Sequence, residues 1–361
     1  MALDLNKIYE PTLLIDLEKL KANVSKMKAK CEANGLKLLP HFKTHQSAAI
    51  GHIIKEQGID GITVSSIKMA KYFANNGFER IHLAMPPIQS QREELERLSQ
   101  KVNLSVNVSQ YAHLKPIEGL NIKVLIDLDP DYGRTGIDIN DLESVKRFHD
   151  SILENGELEL LGVYVHNGAS YKTRIEIAKL HAKVLEKLAN VRNVLGNEMN
   201  VFFGDTPSCS VANNFDGITH ITAGNFVFYD LMQESFGACW ESDIAICMAC
   251  PIIEKHEGKN EFIIHGGAVH FSKDRILNKR GLTIYGKMVH LSNNSWSSSI
   301  KGCNVVSLSQ EHGIIKVNND VYEQYNIGDV IGVLPVHSCL TSDSMRQFIS
   351  FDGTSYKAID R

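Results

Sequence analysis

The pattern of apolar and polar positions between residues 11 and 230 repeats one unit along the chain. A short apolar run rich in β-branched residues leads into a polar turn, and an amphipathic segment follows. Alternation of this kind predicts parallel strands joined by helices. The predicted strands are Thr12–Ile15, Leu36–Phe42, Gly61–Ser65, Arg80–Met85, Asn103–Val108, Ile122–Asp129, Leu160–His166, Asn200–Gly204 and Gly217–Thr222.

The segments between these strands carry helical stripes. In the first, apolar residues step by three and four, with Asp16 placed to cap its start and Gly35 just past its end. The longest such segment is Arg174–Leu195. The number of units favours a (β/α)8 barrel, which typically has about 250 residues. A doubly wound sheet is the alternative, but no G-x-G-x-x-G motif follows the first strand.

The pattern changes after residue 230, where long helical stripes give way to strands joined by short turns. These predicted strands are Ser242–Ile253, Glu261–His270, Leu282–Leu291, Val305–Leu308, Gly313–Val317 and Asp329–Val336. Such a run indicates a second, all-β domain. We therefore predict an α/β protein with a (β/α)8 barrel over residues 11–238 and a smaller all-β domain over residues 239–361.

Composition and charge exclude several classes of partner. Lysine and arginine number 38 and aspartate and glutamate 42, a formal net charge of −4, whereas nucleic-acid binders usually carry a basic excess. No apolar run approaches the ~20 residues that span a bilayer, and the N-terminus lacks the features of a secretory signal. The seven cysteines are odd in number and scattered, which does not suit a disulfide framework. We expect no nucleic-acid or membrane partner, and a reducing cytoplasm.

Barrel active sites lie where strands end, and the second predicted strand ends in Lys43. His41 and His45 flank this lysine. Partial burial and neighbouring cationic groups would favour the neutral amine that Schiff-base chemistry needs. An ordinary solvated loop lysine is the alternative, and position alone favours it.

Two turns rich in glycine and hydroxyl groups follow later strands, at residues 204–208 and 224–225. Bare backbone N–H groups and hydroxyls in such turns can hold a phosphate, and barrels often bind phosphate at their last two loops. Ordinary turn chemistry is an equally good explanation of each turn by itself.

A possible metal pair lies at the end of the last predicted strand, in His337-Ser338-Cys339. Alternation along a strand would place His337 and Cys339 on one face. An imidazole and a thiolate are half of a zinc ligand set, and open positions suit a catalytic metal. For an isolated motif, a buried cysteine beside a surface histidine is the simpler explanation.

Taken together, these motifs resemble the fold-type III pyridoxal 5′-phosphate (PLP) enzymes of the D-serine dehydratase and D-threonine aldolase branch, which share the alanine-racemase-like barrel. The resemblance covers nearly the whole chain. Its most specific match is Pro-His-Phe-Lys-Thr-His at residues 40–45, and it implies that Lys43 is the Schiff-base lysine. The arginine that usually precedes the proline is Leu39 here, and a frequent lysine after the second histidine is Gln46.

The resemblance also implies cofactor-binding residues. The family's D-x-G-x-x-R-x-G segment looks like residues 129–136, with Asp131 where the pattern has its first glycine, and this implies that Arg134 lies near the phenolic oxygen of PLP. The H-x-G-x-x-Y segment matches residues 166–171, with His166 stacked on the pyridine ring and Tyr171 nearby. The implied phosphate-binding residues are Gly204, Thr206, Gly224, Asn225 and Tyr229. Residues 309–313 are similar to a further motif of the β domain, to which no role is assigned.

Two positions separate the members of this family. Racemases place an arginine against the pyridine nitrogen where this chain has Thr222, which disfavours a racemase. Aldolases of the branch carry His-x-Asp, which suits manganese, whereas dehydratases carry His-x-Cys, which suits zinc. The resemblance therefore implies Zn²⁺ on His337 and Cys339, with Mn²⁺ or Mg²⁺ as alternatives.

The implied reaction is β-elimination from a D-configured β-hydroxy amino acid, most directly D-serine to pyruvate and ammonia, with Lys43 as general base. A retro-aldol lyase of the D-threonine aldolase type is the first alternative. A racemase with Tyr285 as second base and a PLP-binding protein without turnover are the others; the β domain disfavours the last. The resemblance further implies a homodimer, with residues 1–10 joining the β domain.

Overall fold

The computed structural model of the chain describes residues 2–278 and 280–360, with the side chain of Asn155 excepted. Its strands are β1 Thr12–Ile15, β2 Lys37–Leu38, β3 Ile62–Val64, β4 Arg80–Leu83, β5 Asn103–Val108, β6 Lys123–Asp129, β7 Ile137–Asp138, β8 Glu159–His166, β9 Asn200–Gly204, β10 His220–Ile221, β11 Ile246–His256, β12 Glu261–His265, β13 Ile276–Leu277, β14 Thr283–Ile284, β15 Gly286–Val289, β16 Asn304–Leu308, β17 His312–Lys316, β18 Val330–Pro335, β19 Gln347–Ser350 and β20 Ser355–Lys357. Its helices are α1 Leu17–Ala33, α2 Ala48–Lys55, α3 Ile67–Asn75, α4 Arg92–Ser99, α5 Leu142–Asn155, α6 Arg174–Leu195, α7 Thr206–Val211, α8 Leu231–Phe236, α9 Ala268–Phe271, α10 Asn319–Gln324 and α11 Ser338–Met345. None of the helices in the described ranges combines the length and apolarity needed to cross a bilayer.

The chain divides into two compact units. The barrel unit comprises Ser25–Lys43 and Gly51–Gly224. The β unit comprises Met1–Val24, Thr44–Ile50 and Asn225–Arg361. This division differs from the expected boundaries of 11–238 and 239–361, because the first strand and the residues from 225 onward fall in the β unit.

The barrel unit is built on eight parallel strands in the order β2-β10-β9-β8-β6-β5-β4-β3. The two ends of this sheet meet at a parallel bridge between His41 and Thr63. The Phe42 N–H donates to the Thr63 carbonyl at 2.8 Å, and the Thr63 N–H donates to the Pro40 carbonyl at 3.0 Å. Closure leaves no free sheet edge, which confirms the predicted (β/α)8 barrel.

The interior of the barrel is filled by side chains from several strands. Leu39, Leu125, Tyr164 and Phe202 form one buried cluster there. Residues on β5, β6 and β8 are buried on both faces, as expected for strands covered by helices outside and by side chains inside. The carboxyl ends of these strands therefore carry the residues that can reach a ligand.

The β unit contains a second closed sheet, in which β11, β12, β17, β16, β15 and β18 pair antiparallel around a ring and β12 returns to β11. Strands β1, β19 and β20 extend it from β11. Thr12–Ile15 is a strand as predicted, but it pairs with β11 and β19 instead of opening the barrel. Residues 13–15 of β1 are fully buried. A covered strand in either sheet has an apolar run of this kind, so the sequence pattern alone does not identify the strands with which β1 pairs.

Two predicted strands of this unit end earlier than expected. The strand predicted over Glu261–His270 stops at His265, because Gly266 and Gly267 turn the chain into α9. A Cβ at Gly267 would lie 2.2 Å from the Gln310 carbonyl oxygen, so only glycine allows this approach. The last predicted strand stops at Pro335, and α11 begins at Ser338.

Gly162 is the tightest backbone approach in the barrel. Its φ is +145°, and a Cβ there would lie 2.0 Å from the Asn200 carbonyl oxygen, between β8 and β9. We expect Gly162→Ala to destabilise the protein by more than about 3 kcal/mol in urea unfolding, since both strain and a backbone clash must be relieved. The control is Gly156→Ala after α5, where φ is +67° with open space beyond, and a cost of about 1–2 kcal/mol is expected. Equal costs for the two variants would contradict this account.

Candidate active site

The barrel unit gathers the predicted Schiff-base lysine and its neighbours at the end of β2. Lys43 is exposed in the turn that follows the closing bridge, whereas His41 is buried. The backbone N–H of Lys43 donates to Nδ1 of His41 at 3.3 Å, and the N–H of His41 donates to the Ala223 carbonyl at 3.0 Å. The turn that carries Lys43 is thus tied to the chain that leads into Gly224.

Three predicted residues from separate motifs meet in this cluster. Burial, together with the charges of Arg134 and Lys43, lowers the pKa of His166 to about 3. Burial also lowers the pKa of His41 well below its usual range, with Lys43, His82, His166 and Arg134 acting in the same direction. Both imidazoles are therefore neutral at pH 7, and the positive charge of the cluster resides on Lys43 and Arg134. The expected burial of Lys43 is not found, because this residue is exposed, and Arg134 is the cationic neighbour that the cluster provides.

The loop after β6 places Arg134. The Asp129 carboxylate accepts backbone N–H bonds from Tyr132 and Gly133 at 2.6 and 2.8 Å, which folds the loop over its own strand. The Arg134 guanidinium carbon lies 5.7 Å from the centre of the Tyr132 ring, and that ring lies edge-on to His166 at 5.9 Å. This is the residue group that the D-x-G-x-x-R-x-G match implied.

Sequence reasoning did not select Asp127, which lies on β6 and is buried. Burial raises its pKa to about 6, against the lowering effects of a Thr135 hydrogen bond and of Arg134. Tyr164 lies nearby on β8, and burial raises its pKa to about 12. Both residues point into the barrel from strand interiors, where alternation normally places apolar side chains, so a buried carboxyl in an apolar run was the available signal.

The first predicted phosphate turn is compact and already capped. Asp205 Oδ1 accepts the Ser208 N–H at 2.6 Å and the Ser170 hydroxyl at 2.7 Å, so it occupies the N-terminus of α7. A Cβ at Gly204 would lie 2.3 Å from Thr222 Oγ1, so glycine allows Thr222 to approach the backbone here. Thr206 follows at the first helical position and is buried.

Asp205 is also the ionisable side chain of this predicted phosphate turn. Burial raises its pKa to about 6 against the lowering effects of its serine hydrogen bonds. Its Oδ2 atom is buried and has no hydrogen-bond partner among the described residues. A bound group that donates to this oxygen would satisfy it. Tyr171, three residues beyond Gly168, is 44% exposed and lies outside this capped turn.

In the β unit, the structure brings the predicted metal pair together, although not by strand alternation. His337 is the N-cap of α11 and Cys339 is its second residue, and the two side chains are hydrogen-bonded. His337 Nδ1 lies 2.5 Å from Asp274 Oδ2. Asp274 was missed by sequence reasoning, because it precedes the pair by 63 residues in a segment without a pattern.

The electrostatics of the pair follow from this contact. Burial disfavours charge on His337, but the hydrogen bond to Cys339 and the charges of Cys339, Asp230 and Asp274 raise its pKa to about 10. Burial likewise disfavours a thiolate at Cys339, but the imidazolium holds its pKa below the usual range. A histidine that contacts a carboxylate through Nδ1 and is hydrogen-bonded to a cysteine is the arrangement of a metal ligand and its supporting residue.

A buried polar network supports the pair. Asp230 Oδ2 accepts from the Ser338 N–H at 2.9 Å, the Ser338 hydroxyl at 3.1 Å and Asn225 Nδ2 at 2.7 Å. Asn225 Nδ2 also lies 3.5 Å from Cys339 Sγ, as does the hydroxyl of Thr44. The Asn225 side chain thus faces the metal pair, and only its backbone remains for the predicted phosphate contact.

Tyr229, the last predicted phosphate residue, has an unusual backbone. Its φ is +49°, and its N–H donates to the Asn225 carbonyl at 2.7 Å. A non-glycine residue in this region is often found at binding sites. Its placement therefore fits a turn that holds a ligand with its backbone.

Two family models match this chain. The model described as "Alanine racemase, N-terminal domain" matches residues 15–202, and "Putative serine dehydratase domain" matches residues 245–351. The first accounts for the strands that form the barrel up to β9, and the second for most of the β unit's antiparallel sheet.

Several known proteins are similar over their full length. D-threo-3-hydroxyaspartate dehydratase from Delftia sp. (strain HT23) is 26% identical over 92% of this chain and 91% of its own. D-serine dehydratase from Dictyostelium discoideum is 28% identical over 94% and 92%. The solved structure of the Delftia dehydratase has a TM-score of 0.89 at 25% identity, covering 99% of each chain. A cysteine mutant of that enzyme has been solved in a metal-free form, with a TM-score of 0.88 and 25% identity over 99% of each chain.

The buried histidines make stability depend on pH. His82 lies inside the barrel with Nδ1 3.0 Å from the Ser105 hydroxyl, and burial lowers its pKa to about 3. As the pH falls through about 6.5, His82 becomes protonated in the unfolded chain but stays neutral in the folded chain. The contribution of His82 to the free energy of unfolding is therefore complete above pH 6.5. It is lost as the pH falls, at about 1.4 kcal/mol per pH unit.

We expect His82→Gln to reduce the loss of unfolding free energy between pH 6.5 and 5.0 by about 2 kcal/mol, measured in urea. Glutamine keeps a polar group beside Ser105. His312→Gln, which removes an exposed imidazole, is the control. A variant that loses as much stability as the unchanged protein would show that His82 is not held neutral by burial.

Proposed function

We propose a reaction for this chain from the premise that it belongs to the alanine racemase N-terminal domain family, in the D-serine dehydratase and D-threonine aldolase branch of the fold-type III PLP enzymes. The reaction is the removal of water from a D-configured β-hydroxy amino acid. D-serine would give pyruvate and ammonia. The protein would thus be a PLP-dependent lyase that uses a divalent metal ion.

The hydrogen-bonded series Asp274–His337–Cys339 carries this proposal. A dehydratase must remove hydroxide, a poor leaving group, and a nitrogen–sulfur ligand pair suits zinc, which can assist. A racemase or a silent PLP carrier needs no such pair. Its support by a carboxylate argues for a built metal site and against a chance neighbour.

The residues of the barrel unit fit PLP. The cofactor is anionic at its phosphate and phenolic oxygen, and the cluster offers Lys43 and Arg134 as cations beside two neutral imidazoles. At the phosphate end, backbone N–H groups and hydroxyls of the turn at residues 204–208, where α7 begins, would supply the contacts. When bound, PLP accepts the electrons left on the α-carbon after its proton has been removed.

Side chains of the protein would move the protons of this reaction. Lys43 Nζ would take the α-proton, and the neutral state of His41 and His166 keeps these rings from supplying a competing acid. Arg134 carries a fixed positive charge, and the hydrogen bond from the Tyr132 N–H to Asp129 holds the loop that places this charge. The His166 ring, at the end of β8, would pack on the flat face of the cofactor.

His337 and Cys339 would hold the metal, and Zn²⁺ is the ion that their donor atoms favour over Mn²⁺ or Mg²⁺. A zinc ion there supplies Lewis acidity to the departing β-hydroxyl group. Asp274 would keep the proton of His337 on Nδ1, so that Nε2 faces the ion. Breaking the Cα–H and Cβ–O bonds would release one proton, held by Lys43 Nζ, and one hydroxide, and together these make the eliminated water. The released enamine hydrolyses to the keto acid and ammonia.

A retro-aldol lyase is the second candidate, because D-threonine aldolase from Arthrobacter sp. is 21% identical over 92% of this chain. D-threonine distinguishes the two, since dehydration gives 2-oxobutanoate and ammonia whereas retro-aldol cleavage gives glycine and acetaldehyde. Tyr285, the candidate second base of a racemase, is half-buried before β15. Incubation of D-serine in D₂O followed by chiral analysis would reveal racemisation.

We also propose that the enzyme is a cytoplasmic homodimer. All seven cysteines are free thiols, consistent with a reducing compartment. Light scattering at micromolar concentration would test the dimer.

The first test is an absorbance spectrum of the purified holoenzyme before and after D-serine and Zn²⁺ are added, with pyruvate assayed in the same cuvette. A shift of a band near the visible edge together with pyruvate supports the dehydratase. A band without pyruvate moves the assignment to the aldolase or to another β-hydroxy substrate. No band after PLP is added would refute the role of Lys43.

Replacing the lysine separates cofactor attachment from folding. We expect Lys43→Ala to lose the visible-edge band and to lower kcat/KM for D-serine by at least about 10⁴-fold, since the general base is removed. Lys37→Ala, on β2 and exposed, is the matched control and should retain both. Retention of the band in Lys43→Ala would place the cofactor on another residue.

Asp274 is a positioning residue, and its effect should fall on the metal. We expect Asp274→Asn to weaken zinc binding by about 10–100-fold while saturating zinc restores most of kcat, because only the support of His337 is lost. Cys339→Ser removes a ligand, and zinc should not restore it. Asp320→Asn, at the exposed start of α10, is the control. A fall in kcat that zinc does not restore in Asp274→Asn would assign this carboxylate a direct role.

A further inference from the structure

A second group of metal-ligating side chains lies in the β unit, formed by His265, His270 and Glu311. One potential ligand atom from each lies within 4.8 Å of the other two. His270 Nε2 is 3.9 Å from Glu311 Oε2, and the two imidazole rings are perpendicular with their centres 5.6 Å apart. These residues are distinct from His337, Cys339 and Asp274, and the proposed reaction does not use them.

The backbone holds the three residues in place before any ion binds. His265 ends β12 and His270 lies in α9, while Glu311 lies in the turn between β16 and β17. The N–H of Gly266 donates to the Glu311 carbonyl at 2.9 Å, and the N–H of Ala268 donates to the Ser309 carbonyl at 2.8 Å. The two turns are thus fixed to each other by main-chain hydrogen bonds.

Glycines make this approach possible. A Cβ at Gly267 would lie 2.2 Å from the Gln310 carbonyl oxygen, and one at Gly313 would lie 2.7 Å from the Gly266 carbonyl oxygen. Two chain segments therefore converge where a side chain at either glycine would keep them apart. This convergence delivers two imidazoles and one carboxylate to the same point.

We propose that His265, His270 and Glu311 bind one divalent transition-metal ion, with zinc as the best match. Two imidazoles and a carboxylate are a known zinc ligand set with an open fourth position. In a zinc site each ligand atom lies about 2.0–2.2 Å from the ion. The three ligand atoms, now within 4.8 Å of one another, would therefore move closer together by rotation of their side chains. The Glu10 carboxylate also acts on His270, so two negative charges oppose the charge of the ion.

The site formed by His265, His270 and Glu311 is open to solvent. The Glu311 side chain is 46% exposed and that of His270 is 15% exposed, so an ion can enter from solvent. The N–H of Gly267 donates to His270 Nδ1 at 3.0 Å, so the ring proton of the neutral imidazole is on Nε2, toward Glu311. Zinc on Nε2 moves that proton to Nδ1, so the Gly267 hydrogen bond is exchanged for a metal bond.

The experiment counts zinc ions on the PLP-loaded enzyme after treatment with a chelator, by titration against a chromophoric zinc indicator. We expect two equivalents for the unchanged protein and one for Glu311→Gln or His270→Ala, with affinity at this site reduced more than about 100-fold. His256→Ala is the matched control, because His256 faces Glu261 at 3.6 Å as a histidine–carboxylate pair without a second imidazole. It should still bind two ions.

His337→Ala separates this site from the proposed reaction. We expect this variant to bind one zinc ion, and the His337→Ala/Glu311→Gln double variant to bind none. If His337→Ala binds no zinc, or if Glu311→Gln still binds two ions, the second site does not exist. Melting curves recorded in EDTA check folding, because each variant should then have the same Tm as the unchanged protein. When zinc is added, only variants that keep His265, His270, Glu311 and His337 should show the full rise in Tm.

Discussion

The backbone bridge between His41 and Thr63 is the contact on which the barrel and its site both depend. It closes the eight-stranded sheet, and the turn that carries Lys43 begins immediately after it. A sheet that stayed open here would expose the edges of β2 and β3, and Lys43 would belong to a mobile loop end. Closure and placement of the reactive amine thus come from the same few hydrogen bonds.

Burial then decides how charge is distributed around that amine. His41 and His166 stay neutral because a charged imidazole would be costly so far from solvent. Two cations remain, one on Lys43 and one on Arg134, which is the pattern an anionic cofactor requires. In the β unit the effects of burial are opposed, because the hydrogen bond between His337 and Cys339 raises the pKa of the imidazole and lowers that of the thiol.

Much of the fold follows from local pattern, and its failures have physical causes. β5, β9 and β1 have the predicted bounds, because each is a short β-branched run ended by a polar turn. Pattern describes one strand at a time, however, and the sheet that β1 joins is decided by residues more than two hundred positions away. His337 and Cys339 meet at a helix start that the sequence suggested was a strand end, and both geometries bring the two side chains together. Asp274 carries no local signal at all, since its role exists only through its contact with His337.

The division of the chain between the two units has a consequence for its synthesis. The β unit is made of three separate segments, and β1 near the N-terminus pairs with β11 and with β19 near the other end. During synthesis Leu13, Leu14 and Ile15 leave the ribosome more than two hundred residues before β11, so they cannot be covered by their partner strands until β11 and β19 have been made. The nascent chain would therefore carry an unpaired apolar strand until β11 and β19 have been made, and such a strand can pair with other chains.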